Sequence, residues 1–92
     1  MNIIEQLEGT IDDRIRNPRT DSYTNKLIAA GLPEMLKKVA EEAGEVVVAG
    51  ALQGKDRLVY ESADLVYHLL VLLRSQGLGW SDIEAELGRR FK

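Results

Sequence analysis

Residues 37–68 read KKVAEEAGEVVVAGALQGKDRLVYESADLVYH and contain two apolar segments of helical periodicity, each with acidic residues three positions apart. The second segment decides the fold, because its apolar residues cover most of a helical wheel. Such a helix must be buried on several sides by other helices. Its polar residues form one narrow stripe, which consists of Arg57, Glu61, Asp64 and His68.

The two acidic residues of this stripe, Glu61 and Asp64, are unusual on so apolar a helix. A buried carboxylate without a partner is costly, so it becomes protonated, pairs with a cation or binds a metal. We therefore expect a positive charge to face the stripe. The alternative is that the stripe is the one solvent-exposed edge of the helix.

The first segment, residues 33–52, is a conventional amphipathic helix on the same wheel. Its apolar face consists of Leu36, Val39, Ala43, Val46, Val47 and Gly50. Glu42 lies at one margin of this face, and Glu45 and Lys38 lie just beyond it. Glu41 points further towards solvent. Taken alone, Glu41 and Glu45 match an ordinary solvated helix face.

Packing of the two segments is expected to bring four carboxylates into one small volume, namely Glu42, Glu45, Glu61 and Asp64. Carboxylates at such distances repel one another, and a hard divalent cation with oxygen ligands relieves the repulsion. Mg²⁺ is the typical ion where phosphate oxygens complete the coordination. The sequence thus predicts a magnesium site between the two helices.

The chain is short for so apolar a helix. Its 92 residues, 45% of them hydrophobic, correspond to one small domain spanning residues 1–92. The helix around residues 58–73 needs more cover than such a domain provides, and a two-fold homodimer would supply it. With no cysteine in the chain, disulfides and zinc thiolate sites are excluded.

Charge and hydropathy exclude further classes of protein. The formal net charge is −3, the isoelectric point is near 5.1, and the twelve Lys and Arg residues are dispersed. This distribution argues against a nucleic-acid-binding surface. No basic and apolar leader starts the sequence, and no apolar run reaches membrane length. We expect a cytoplasmic protein that binds neither nucleic acid nor membrane.

Periodicity and capping residues predict an all-α fold of five helices: 2–16, a short helix ending at 30, then 33–53, 56–75 and 82–90. Ser22 or Thr24 is expected to cap the second helix, and Gly31 to end it. Ser81 and Glu84 match a capping box at the start of the fifth. No stretch has the alternation of a strand.

Four stretches are similar to the phosphoribosyl-ATP pyrophosphatases, which catalyse the second step of histidine biosynthesis. They are Ser22-Tyr23-Thr24, Lys26-Leu27, KKVAEEAGEV at residues 37–46 and YESADLVYHLLVLL at residues 60–73. The resemblance extends from Ser22 to about Arg90 without a large gap. It implies a five-helix MazG-like domain whose two long antiparallel central helices form a helical bundle core with a second subunit.

The wider MazG-like group of nucleoside triphosphate pyrophosphohydrolases shares an EExxE motif and an ExxD motif that bind Mg²⁺. The matching residues here are Glu41, Glu42, Glu45, Glu61 and Asp64. A Ser-Tyr-Thr element and a Tyr-His pair after the aspartate distinguish the histidine-pathway members, and the sequence contains both.

The resemblance implies hydrolysis of phosphoribosyl-ATP to phosphoribosyl-AMP and pyrophosphate. Water would attack a phosphoryl group at the bond between the α and β phosphates. Mg²⁺ would stabilise the developing charge, and its implied ligands are Glu42, Glu45, Glu61 and Asp64. Glu41 or Glu42 would orient or deprotonate the water.

Three cations are candidates for binding the substrate. Lys38, beside the acidic margin of its helix, is expected to contact phosphate. Lys26 and Arg19, in or beside the Ser-Tyr-Thr element, would hold the ribosyl 5′-phosphate or the polyphosphate. For Lys38 and Arg19, ordinary solvation at the surface is the alternative.

The Ser-Tyr-Thr element supplies three more candidates. Ser22 and Thr24 would contact phosphate or merely cap the helix. Tyr23 would stack on the base of the substrate or belong to the core or an interface. His68, one turn beyond Asp64, is expected to be a structural residue that orients the aspartate.

Two other functions agree with parts of the sequence. A MazG-like house-cleaning pyrophosphatase acting on another nucleoside triphosphate shares the metal residues but gives no reason for the Ser-Tyr-Thr and Tyr-His elements. A non-catalytic helical dimerisation module predicts a solvated acidic stripe and a fold that divalent ions do not stabilise. A di-iron carboxylate bundle needs Glu-x-x-His pairs on two helices, and one histidine excludes it.

Overall fold

The computed structural model describes residues 1–92, and its regular structure is entirely helical. The helices are α1 (Ile3–Arg16), α2 (Tyr23–Ala30), α3 (Leu32–Val48), α4 (Lys55–Ser75) and α5 (Trp80–Arg90), and a π-helical turn (Ala49–Gln53) extends α3. The predicted all-α class with five helices is confirmed. None of these helices combines the length and hydrophobicity needed to cross a membrane.

The hairpin of α3 and α4 is the centre of the molecule. Gly54 alone separates the π-helical turn from α4, and its φ of 89° lies in the left-handed region that glycine favours. Because one residue joins two long helices that pack together, the helices run antiparallel. This geometry brings Glu42 of α3 beside Glu61 of α4.

The core lies where α1, α2 and α3 meet the C-terminal half of α4. Its buried side chains are Ile11, Leu27, Met35, Leu70 and Val71. Only nine of the 92 residues are buried, so the core is small for a chain of this composition. The N-terminal half of α4 has little cover beyond α3, and Val59 is 70% exposed.

The apolar face predicted for α3 is only partly covered. Leu36 and Val47 belong to that face but are 49% and 70% exposed. Met35, which lies outside it, is 4% exposed and packs in the core. Part of the predicted face therefore remains available to another protein surface.

Ionic contacts attach α1 and α5 to the end of α4. Arg74 donates to the two carboxylate oxygens of Asp12 at 2.9 and 2.7 Å. It also lies 3.8 Å from Glu8. Glu8 in turn accepts the main-chain N–H of Trp80, the first residue of α5, at 2.9 Å.

The start of α5 differs from the prediction. Ser81 and Glu84 do not form the predicted capping box. The helix begins two residues earlier, at Trp80, with Gly79 as its N-cap. The Asp82 carboxylate accepts the Gly79 N–H at 2.8 Å. The long-range contact between α1 and the Trp80 N–H places this first turn, which no local pattern indicates.

The ends of α2 follow the predicted capping chemistry. Ser22, rather than Thr24, is the N-cap, and its hydroxyl accepts the Asn25 N–H at 3.2 Å. Gly31 ends the helix with a φ of 95°. Asn2 caps α1 in the same manner by accepting the Glu5 N–H.

Candidate active site

Three acidic side chains meet at the contact between α3 and α4. Glu42, Glu61 and Asp64 each offer a carboxylate oxygen, and these oxygens lie within 4.8 Å of one another. Glu61 is 4% exposed, and the side chain of Glu42 is 13% exposed. We call these three residues the acidic cluster. A fully solvated stripe does not fit the burial of Glu61.

The acidic cluster has an excess of negative charge. Burial raises the pKa of Glu61, although Arg57 acts in the opposite direction. The charges of Glu45, Asp64 and Glu42 raise it further. Several carboxylate oxygens in so small a volume suit a hard divalent cation such as Mg²⁺. The residues present therefore fit a metal site of this class.

Glu45 and Glu41, the other acidic candidates, lie outside the acidic cluster. Glu45 is exposed, but its charge reaches Glu61, which places it at the rim. Glu41 is also exposed, and it pairs with Lys37 at 3.8 Å and with Lys38 at 3.3 Å. Of the four carboxylates predicted to converge, the structure brings three together.

Lys38 provides a positive charge at the edge of the acidic cluster. Its Nζ atom lies 3.3 Å from Glu41 and 3.7 Å from Glu42. Burial acts to lower the pKa of Lys38, but the hydrogen bond with Glu41 and the charges of Tyr23, Glu41 and Glu42 raise it overall. Lys38 is thus a stable cation beside the carboxylates, as its position on the helix predicted.

Arg57 is a second cation at the acidic cluster, and the sequence interpretation gave it no role. Its guanidinium lies 3.5 Å from a Glu61 oxygen and stacks 4.4 Å from the centre of the Tyr60 ring. The spacing of four residues between Arg57 and Glu61 was the available signal, because such residues are neighbours on a helix.

The first turn of α2 docks on α4 next to the acidic cluster. The Tyr23 hydroxyl lies 3.0 Å from His68 Nε2, and the hydroxyls of Thr24 and Tyr67 are hydrogen bonded to each other. His68 Nδ1 donates to the main-chain carbonyl of Asp64 at 2.8 Å. His68 therefore contacts the backbone of Asp64 and not the carboxylate that it was expected to orient.

Arg19 and Lys26 lie at a separate cavity of about 300 Å³, whose lining contains no residue of the acidic cluster. The remaining lining residues are Pro18, Thr20, Asn25 and Ala29. The main-chain N–H of Arg19 donates to Asn25 Oδ1 at 2.9 Å, and its guanidinium pairs with Asp21 at 3.4 Å. Lys26 is exposed, so its ammonium group is accessible to an anion.

Comparison with known proteins identifies the family. Residues 4–91 match the family model of the phosphoribosyl-ATP pyrophosphohydrolases. The chain is 48% identical over 91 residues to the phosphoribosyl-ATP pyrophosphatase of Pyrobaculum calidifontis, covering 99% of this chain and 97% of that protein. It is 49% identical over 90 residues to the protein of the same name from Limosilactobacillus fermentum, covering 98% of this chain and 85% of that protein.

A third relative has a longer chain. The histidine biosynthesis bifunctional protein HisIE of Caldanaerobacter subterraneus subsp. tengcongensis is 47% identical over 92 residues, which are 100% of this chain and 45% of that protein. The family model and these relatives cover nearly the whole sequence, including α1 to α5 and all residues of the acidic cluster. This chain therefore belongs to the phosphoribosyl-ATP pyrophosphohydrolase family.

Proposed function

We propose that the chain is a phosphoribosyl-ATP diphosphatase that hydrolyses phosphoribosyl-ATP to phosphoribosyl-AMP and pyrophosphate, the second step of histidine biosynthesis. The convergence of Glu42, Glu61 and Asp64 carries the proposal, because transfer of a phosphoryl group to water depends on divalent cations that neutralise charge. The names of the relatives point to the substrate and the pathway. Since this substrate derives from ATP, we place the reaction in the cytoplasm.

Mg²⁺ is the ion we propose for the acidic cluster. Glu42, Glu61 and Asp64 would hold it, and Glu45 at the rim would be the fourth ligand. When bound, Mg²⁺ supplies positive charge to the phosphoryl oxygens. The two α4 carboxylates are three positions apart, so the helix itself orients them towards α3. The Arg57 guanidinium is the partner that Glu61 would exchange for the metal.

Glu42 is the residue we propose for orienting the attacking water. It lies in the acidic cluster with a side chain that is 13% exposed, whereas the Glu41 side chain is 46% exposed and held by lysines. A carboxylate in this position can accept a hydrogen bond from water, and this contact directs a lone pair of the water oxygen at phosphorus. Glu41, the other candidate, would act indirectly by keeping Lys38 in place.

The substrate-binding residues divide between two places. Lys38 would contact the polyphosphate beside the acidic cluster, and Tyr23 would contact the nucleoside. Arg19 and Lys26 line one cavity of about 300 Å³, and we propose that it receives the phosphate of the added ribosyl group. Cationic side chains that share a cavity suit such a phosphate.

Ser22 and Thr24 have structural partners that account for them. The Ser22 hydroxyl accepts the Asn25 N–H, and the Thr24 hydroxyl is bonded to Tyr67. We therefore propose that they shape the substrate site by fixing the first turn of α2. A direct contact with phosphate requires the hydroxyl to donate its hydrogen, and Ser22 retains that hydrogen because its oxygen only accepts from Asn25.

A homodimer is the assembly we propose. A groove of about 470 Å³ lies between α1 and α4, and its apolar lining consists of Ile3, Ile4, Leu7, Leu58, Val59, Ala63 and Val66. Exposed apolar surface of this kind marks a protein–protein contact. A second copy of the chain offers the same apolar surface, as a two-fold interface requires.

Pyrophosphate release from phosphoribosyl-ATP, ATP and dUTP, each with Mg²⁺ and with EDTA, tests the proposed function. We expect Mg²⁺-dependent release from phosphoribosyl-ATP and little from the other two. Asp64→Asn and Glu42→Gln should each lower kcat by at least roughly 100-fold, the scale on which a residue that positions metal or water acts. Glu34→Gln is the matched control, because Glu34 lies in the first turn of the same helix and outside the acidic cluster. Circular dichroism checks that each variant folds.

Two other results would reject the proposal. Preferential release from ATP or dUTP would assign the chain to the house-cleaning type of MazG-like pyrophosphatase. If no substrate is hydrolysed and Mg²⁺ leaves the melting temperature unchanged, the chain is a non-catalytic helical module.

A further inference from the structure

Two neighbouring side chains of α4 hold two neighbouring side chains of α2. The His68 ring is hydrogen bonded to Tyr23, with 3.0 Å between Nε2 and the phenolic oxygen. The Tyr67 hydroxyl is hydrogen bonded to the Thr24 hydroxyl. The Tyr23 and His68 rings meet edge to face, with their centres 5.8 Å apart and their planes at 78°. Two hydrogen bonds and this ring contact therefore fix both the register and the rotation of α2 on α4.

The direction of the hydrogen bonds at His68 follows from their partners. A carbonyl oxygen only accepts, so the 2.8 Å contact between His68 Nδ1 and the Asp64 carbonyl requires a proton on Nδ1. In the neutral ring, Nε2 then accepts the hydrogen of the Tyr23 hydroxyl. His68 is 6% exposed, so water does not compete well for this contact.

Tyr23 is anchored at its hydroxyl end while its ring remains accessible. The residue is 48% exposed although its hydroxyl is bonded to a buried histidine. Its partner His68 lies one helical turn beyond Asp64 of the acidic cluster. Ionisation of the Tyr23 phenol raises the pKa of Lys38, which pairs with Glu41 and Glu42. An immobilised and exposed aromatic ring thus lies beside the cation at the edge of the acidic cluster.

We infer that His68 and Tyr67 are positioning residues, which hold the Tyr23 ring as a stacking surface for the purine of the nucleotide substrate. This inference rests on the proposed function. An aromatic face fixed next to a phosphate-binding cation matches a nucleotide, whose base stacks while its phosphates bind the positive charge. Because both α4 residues act through α2, they need not touch the substrate themselves.

Steady-state kinetics on phosphoribosyl-ATP separate positioning from general destabilisation. We expect Tyr23→Ala to raise KM by roughly tenfold or more through loss of stacking. Tyr23→Phe and His68→Gln should each raise KM by about fivefold, which corresponds to the loss of one hydrogen bond. In all three variants kcat should change less than twofold, because the carboxylates stay in place.

A double-mutant cycle tests whether His68 acts through Tyr23. If it does, the double variant Tyr23→Phe, His68→Gln has the KM of the single variants and not the product of their effects. Arg74→Gln is the control, because it breaks a partly buried ion pair with Asp12 away from this contact. It should lower stability and leave KM unchanged.

Isothermal titration calorimetry with ATP measures the contribution of the Tyr23 ring to nucleotide affinity without turnover. We expect Tyr23→Ala and His68→Gln to weaken ATP binding and Arg74→Gln to leave it unchanged. Multiplicative effects in the cycle, or equal loss of affinity in the Arg74 variant, would overturn the inference. Absence of hydrolysis by the wild-type protein with normal ATP binding would reject the proposed function alone.

Discussion

Glu61 is a buried carboxylate within the acidic cluster. It lies on an apolar helix, is 4% exposed and has Glu42 and Asp64 within 4.8 Å. Arg57, at 3.5 Å from its carboxylate, is itself half exposed and compensates only part of the charge. A residue that raises the energy of the metal-free fold in this way is typical of a functional site.

Replacement of Glu61 by glutamine should stabilise the metal-free protein. The amide keeps the size of the side chain but removes a buried charge from beside two carboxylates, and Arg57 can turn to water. We expect Glu61→Gln to raise the melting temperature in EDTA and to abolish the increase that Mg²⁺ gives the wild type. Thermal unfolding followed by circular dichroism, with EDTA and with Mg²⁺, measures both effects.

The control for this prediction is Glu41→Gln, at an exposed position outside the acidic cluster. It should preserve the Mg²⁺-dependent increase. A Glu61→Gln protein that is still stabilised by Mg²⁺ as strongly as the wild type would show that Glu61 is not a ligand.

At the residue scale, the sequence predicts a site residue when a charged side chain interrupts an apolar pattern. Glu61 and Asp64 are recognisable because they interrupt an apolar helix, and Glu42 because it borders the opposing face. Arg57 received no role although its spacing from Glu61 was visible. Burial of Met35 depends on where α1 and α2 pack, and no periodicity within α3 shows that.

At the scale of elements, local chemistry determines most helix ends. Ser22 caps α2 through its hydroxyl. Gly31 ends α2 and Gly54 precedes α4, and both adopt the positive φ that glycine favours. The start of α5 is the exception, because a carboxylate of α1 accepts the Trp80 N–H. A contact between residues 72 positions apart is invisible to rules that consider one turn at a time.

Gly44 offers a test of the α3 surface. It lies within the helix, and a Cβ atom there would meet no side chain within 4 Å. Alanine stabilises a helix by about 1 kcal/mol relative to glycine, which for a domain of this size is about 5 °C in melting temperature. We expect Gly44→Ala to raise the free energy of unfolding by that amount in urea denaturation.

The matched control is Gly9→Ala in α1, where the surroundings are equally open. Both substitutions should stabilise to a similar extent. Loss of stability in Gly44→Ala together with a gain in Gly9→Ala would show that another surface covers α3 at Gly44 in solution.

At the scale of the whole molecule, the chain is less compact than its length requires. The radius of gyration is 14.2 Å, whereas a compact chain of this length has about 12 Å. Large apolar side chains remain exposed on α3 and α4, among them Val47 and Val59. The sequence predicted the shortage of cover, but the apolar periodicity of α4 could not tell which of its faces α1 and α3 leave open.

Val59→Glu tests whether a second copy covers the groove between α1 and α4. Val59 is 70% exposed in the single chain and lines that groove. A charge at this position would be buried in a dimer but solvated in a monomer. We expect sedimentation velocity to show a dimer for the wild type and a monomer for Val59→Glu.

Glu84→Lys is the control for this substitution, because Glu84 is exposed on α5 and does not line this groove. It should remain dimeric. A monomeric wild type at micromolar concentration, or a dimer that Val59→Glu leaves intact, would refute the proposed interface.

Metal binding in the absence of substrate tests the acidic cluster most directly. Mn²⁺, which resembles Mg²⁺ in its preference for oxygen ligands, can be titrated into the protein and followed by electron paramagnetic resonance. We expect saturable binding to the wild type and to Glu41→Gln, and loss of that binding in Asp64→Asn and Glu61→Gln. Equal binding by all four proteins would contradict a metal site between α3 and α4.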